Sequence, residues 1–168
     1  SRRQRQMCIR DRLISVLVLE SMQKLYDYIR LALEENSSTK ERYTGICDGL
    51  VKYQEEYPFY FKTVLETIHI DFETTHFLPE EKETFTIGEK INALLIDFIE
   101  KGMERGEIRA DIDGLPTIFS FWGMLSGLIQ IAVNKELYIE QKMKKTKSEF
   151  LNYGFDMIYR SIEGNRAM

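Results

Sequence analysis

Residues 98–133 read FIEKGMERGEIRADIDGLPTIFSFWGMLSGLIQIAV, and the contrast between the two halves of this stretch decides the fold. The first half is charged and punctuated by Gly102 and Gly106; the second, from Gly114 to Asn134, runs 21 residues without a charge. A run of that length can span a bilayer, and Gly123 and Gly127 have the spacing of closely approaching membrane helices. Yet Pro116, Thr117, Ser120, Ser126, Gln130 and Asn134 dilute it, and no second such run occurs in an otherwise charged chain. The expectation is a helix buried on nearly all faces in a water-soluble protein or dimer. A membrane-associated protein is the alternative, which solubility without detergent excludes.

Around this run every pattern is helical, without alternating strand segments or Asn-Gly and Asp-Gly hairpin signals. The expected fold class is therefore all-α, a bundle of about six helices. Between Leu13 and Glu35, Ile14, Val18, Met22, Leu25 and Ile29 fall on one face. Ser38 and Glu41 form a capping box opening a second helix to about Glu56, with Tyr43, Ile46, Leu50 and Tyr53 on one side. Pro58 starts a third helix at a bend, with Phe61, Leu65, Ile68 and Phe72 inward. Pro79, followed by acidic residues, opens a fourth helix that ends near Arg105 and buries Ile87, Ile91, Leu94, Leu95, Phe98 and Ile99. Gly106 suits a left-handed cap, and Asp113 is the expected N-cap of the uncharged helix. The last helix is expected to start near Tyr138 or Gln141, within reach of the cationic KMKKTK, and to end near Glu163. Its apolar stripe is Leu151, Phe155, Ile158 and Ile162.

A chain of 168 residues fits one core better than two. Its first twelve residues, SRRQRQMCIRDR, carry five arginines and one aspartate, whereas the other 156 hold 18 basic and 26 acidic residues, a net charge of −8. Such an acidic body repels phosphate backbones, so no DNA-binding residues are expected in this chain. Residues 1–12 resemble a non-native junction and are expected to be disordered or a loose helical extension, with the domain at 13–164 and a tail at 165–168. Two cysteines, Cys8 and Cys47, without metal-like spacing or a signal peptide, point to a reducing cytoplasm.

Common catalytic and nucleotide motifs are absent, and only two histidines occur. Glu66, His69, Glu73 and His76 share one helical stripe, but structural metal sites gather ligands from more than one element, so an exposed polar face is expected and no metal or cofactor. The chain is not expected to be an enzyme; a helical enzyme using an internal cavity is the alternative. Aromatic residues are dense, among them Tyr53, Tyr57, Tyr60, Phe61, Phe98, Phe119, Phe121 and Trp122. They suit a core, or a cavity for a flat or apolar small molecule with polar groups such as Thr63, Thr67, Ser120 or Gln130.

The stretch at 98–133, with Gly102, Gly106, Glu107, Ile108, Arg109, Asp111, Asp113, Gly123 and Gly127, resembles the C-terminal regulatory domain of TetR/AcrR-type transcriptional regulators. The resemblance extends roughly from Leu13 to Gly164. It implies an effector-binding domain in which a small molecule entering a helical cavity weakens operator binding, and a homodimer formed by the last two helices. DNA would be contacted only through an N-terminal helix-turn-helix that is missing here; Leu13 to Tyr28 looks like the helix that would follow it. On helix faces alone, the expected ligand-binding residues are Tyr53, Phe61, Leu65, Phe98, Phe119 and Trp122. The expected dimer interface is Leu125, Ile129, Leu151, Phe155, Ile158 and Ile162.

Overall fold

The computed structural model describes residues 1–66 and 78–165. Among them the chain is all-α: α1 (Arg2–Glu35), α2 (Thr39–Glu56), α3 (Pro58–Glu66), α4 (Pro79–Glu104), α5 (Gly114–Asn134), a single turn α6 (Glu136–Tyr138) that widens into a π-turn over Ile139–Met143, and α7 (Lys147–Arg160). α1 is the central mast, packed against α2, α3 and α4, and α5 packs between α4 and α7.

Local chemistry sets most boundaries. At α2 the Glu41 amide donates to Ser38 Oγ at 3.2 Å and the Ser38 amide to Glu41 Oε2 at 3.1 Å, so two otherwise orphaned donors are satisfied reciprocally. Thr146 and Glu149 repeat the arrangement at 3.1 and 2.9 Å and open α7 at Lys147, later than the expected start near Tyr138 or Gln141. The lysines at 142–145 thus precede the helix, Lys144 taking a left-handed φ of 56°, and Lys147 pairs with Glu55 at 3.3 Å. Pro79 occupies the first turn of α4 as expected, and Gly106 ends it with a φ of 68°. Asp113 holds the N-cap position of α5 but makes no side-chain capping bond.

The charged stretch before α5 is a structural latch. Ile108 is buried above Gly102, where any β-carbon would press on the Ile108 side chain and on Thr39. The Arg109 amide donates to the Ile162 carbonyl at 2.9 Å and the Gly164 amide to the Glu107 carbonyl at 2.8 Å, which ties the α4–α5 connection to the end of α7. Arg109 holds Asp111 in a two-point fork at 2.6 Å, and the guanidinium keeps that carboxyl below its usual range.

In the single chain α5 is buried on one face: Ile118, Leu125, Ile129 and Ala132 pack inward, while Phe119, Gly123, Met124 and Ile131 lie exposed, so the expected burial on nearly all faces is left to a dimer. One expectation is corrected here. The expected interface residues Leu125, Ile129, Leu151, Phe155, Ile158 and Ile162 are all in the core of the single chain and offer no surface to a partner. The reason lies in the pairing of α5 with α7, in which Gly154 brings α7 against Leu128 and turns both apolar stripes toward each other. Residues 2–12 continue α1 as an exposed helix from a capping box at Ser1, the helical form of the two expected. Of the predicted α1 face, Val18, Met22, Leu25 and Ile29 are buried and Ile14 is exposed. Ile68 and Phe72 lie outside the described residues.

Candidate ligand cavity

A cavity of about 590 Å³ opens between α1, α2, α4 and α5, with Val64 and Leu65 of α3 at one side. Its floor follows from the stripes that the sequence assigns to the core: Met22, Leu25 and Ile29 on α1 face Tyr43, Ile46 and Leu50 on α2 across a gap that their side chains do not close. Walls come from Ile91, Leu95 and Phe98 of α4 and from Ile118, Phe121 and Trp122 of α5. Exposed lining residues, Phe85 and Glu89 on α4 with Leu115 and Phe119 on α5, mark the mouth. A mainly apolar hollow of this size is in the range of about 300–1,000 Å³ that encloses drug-sized molecules.

Polar groups on the wall are few. The Tyr43 hydroxyl is taken up by the Phe155 carbonyl at 2.7 Å, and burial pushes its phenol far above the ordinary value. Thr84 is buried, and its Oγ1 has no hydrogen-bond partner among the described residues. Asn92 and Thr117 are half-buried, and Glu89 is exposed at the mouth. Of the polar groups expected from sequence, Thr63 instead bonds the Phe59 carbonyl at 2.8 Å, Ser120 and Gln130 point to the exposed side of α5, and Thr67 lies outside the described residues.

Four of the six expected ligand contacts line the cavity: Leu65, Phe98, Phe119 and Trp122. Tyr53 and Phe61 do not. Tyr53 is fully buried, its hydroxyl donating to the Ser21 carbonyl at 2.7 Å, and Phe61 packs between Tyr53 and Trp122 with ring centres 6.1 and 6.5 Å away. The sharp entry at Pro58 turns Phe61 onto α2, so both rings stand behind the wall, with Phe61 against Trp122 and Tyr53 behind Phe61. Sequence reasoning missed the α1 and α2 floor, because a stripe that lines a cavity and one that fills a core have the same period. The Glu66, His69, Glu73 and His76 set lies outside the described residues except for the Glu66 backbone, and the remaining described residues hold no cluster of metal-ligating side chains.

No family model matches the sequence, and no curated protein does either. Among solved structures the chain is similar to one described as a protein with unknown function from Rhodococcus sp. RHA1, with a TM-score of 0.71 at 14% identity, covering 92% of this chain and 73% of that one. At that identity the likeness shows a shared all-helical fold.

Proposed function

We propose that the chain is the effector-binding and dimerisation domain of a TetR-like transcriptional regulator of the cytoplasm. In this reading a small apolar or aromatic molecule enters the cavity and weakens operator binding by a helix-turn-helix head belonging to the full-length protein. The observation that carries it is the mainly apolar cavity of about 590 Å³ between α1, α4 and α5. The GEIR and DID stretch supports it too, because Glu107 and Arg109 tie the α4–α5 connection to the end of α7 and Arg109 holds Asp111. α1 is the natural lever: Met22, Leu25 and Ile29 form part of the cavity floor, and the same unbroken helix continues past the cavity to Leu13, where the expected domain begins. A ligand that binds two tilts of α1 unequally, by about 1–3 kcal/mol, would transmit its presence along a rigid rod.

The partner in this reading is a second copy of the chain, seated on exposed Gly123 and Ile131 and half-buried Gly127 of α5, and on exposed Tyr153 and Met157 of α7. Gly123 and Gly127 have open space above them. A membrane-spanning role for α5 has less support, since the face bearing Leu125 and Ile129 is packed in the core.

Calorimetry against a panel of aromatic and lipophilic compounds tests the cavity. At least one compound is expected to saturate at one per chain, and Trp122→Ala is expected to weaken it by about tenfold or more. An affinity unchanged in Trp122→Ala, or no binding across the panel, overturns the reading.

A further inference from the structure

Resting on the reading of the cavity as a ligand site, the charge of its wall points to a chemical class. We infer that the ligand is a lipophilic cation, its apolar body between α1, α2 and α5 and its positive head at the mouth beside Glu89. Glu89 is the one charged side chain among the described lining residues, and no lysine or arginine lines the cavity there.

A carboxylate or phosphate head would therefore either lose its water deeper in the wall without a permanent counter-cation or stay at the mouth against the like charge of Glu89, and both are unfavourable. An ammonium group meets the reverse situation. Glu89 has no ion-pair partner among the described residues, and the positions one turn away on α4 are Phe85, Thr86, Asn92 and Ala93, none of them basic. Lys90 follows it in sequence and makes no ion pair with it, so the Glu89 carboxylate stands unpaired among the described residues at the rim of an apolar hollow. Phe119, across the mouth on α5, adds an exposed aromatic ring, and a cation is attracted to the quadrupole of such a ring. The deeper wall of Leu25, Leu50 and Trp122 has no preference for charge and accepts only the body of the molecule.

Three compounds of one skeleton separate charge from apolar fit: 4-phenylbutyl-trimethylammonium, 4-phenylbutan-1-ol and 4-phenylbutanoate. They are titrated by calorimetry and by the fluorescence of Trp122, the single tryptophan. The cation is expected to bind about tenfold more tightly than the alcohol, and the carboxylate most weakly. In Glu89→Gln, whose substitution lies at an exposed position, the ratio of cation to alcohol affinity should fall to near one. Equal binding of cation and alcohol by the wild type, tightest binding of the carboxylate, or a ratio unchanged in Glu89→Gln overturns the cation inference while leaving the cavity reading in place. If none of these compounds and none of the wider panel binds, both fall together.

Discussion

At the scale of single residues, the buried acids of α2 make stability depend on alkaline pH. Burial pushes the Cys47 thiol up to about 12 and holds the phenols of Tyr43 and Tyr53 well above their ordinary range. The unfolded chain releases these protons from about pH 9 upward, while the native state retains them. The native state then binds more protons than the unfolded one, so the slope of stability against pH is negative there and stability falls as pH rises from about 9 to 12. The urea midpoint should accordingly be lower at pH 10.5 than at pH 8. Tyr43→Phe loses the bond to the Phe155 carbonyl and is expected to cost about 1 kcal/mol at pH 8, but its decline with pH should be shallower because one retained proton is gone. A decline as steep as that of the wild type would remove Tyr43 from this account. The burial of Tyr43 and Tyr53 was legible in their helical spacing with Ile46 and Leu50; their hydroxyl partners, far away in sequence, were not.

At the scale of elements, signals contained within one turn were legible and signals that depend on a neighbour were not. Ser38 with Glu41 and Pro79 at the head of α4 mark helix starts by chemistry that acts over three residues, and both helices begin there. The Thr146 and Glu149 box has the same form, but the apolar and cationic residues ahead of it suggested an earlier start, and the local cap prevailed. α5 is the opposite case. Its composition is apolar all round, whereas which face is covered depends on α7, and only one face is. The amino-terminal part of α1 gives this contrast a test. Residues 2–12 are helical and exposed, and their recorded ion pair with another helix joins Arg12 to Glu80 at 3.4 Å with the arginine largely in water, an interaction of about 0–1 kcal/mol. Deleting residues 1–12 should lower the helical circular dichroism signal while shifting unfolding free energy by less than about 1 kcal/mol. A larger loss would mean that this segment contributes to the fold beyond its own hydrogen bonds.

At the scale of the whole molecule, the cavity and the exposed α5–α7 face arise from the same arrangement. α5 divides its apolar residues between Phe121 and Trp122 on the cavity wall, Leu125 and Ile129 in the core, and Gly123, Met124 and Ile131 in the open. The cavity was legible only in part, through Leu65, Phe98, Phe119 and Trp122, because a void is a property of how four helices fail to close and not of any one of them. The uncovered face follows from counting what remains: Met124 and Ile131 on α5 with Tyr153 and Met157 on α7 form an exposed apolar surface, and surfaces of this kind mark association sites. Two copies related by a twofold axis would set α5 and α7 of each against the other, with Gly123 and Gly127 allowing close approach. Replacing Gly127 with arginine tests this without disturbing the core, because a β-carbon there meets nothing within 4 Å in the single chain. Light scattering at micromolar concentration should give twice 19.9 kDa for the wild type and 19.9 kDa for Gly127→Arg, with helical content preserved. A wild-type monomer removes the dimer from the proposal. A Gly127→Arg dimer moves the interface off this face, and the exposed residues of α5 would then need another partner.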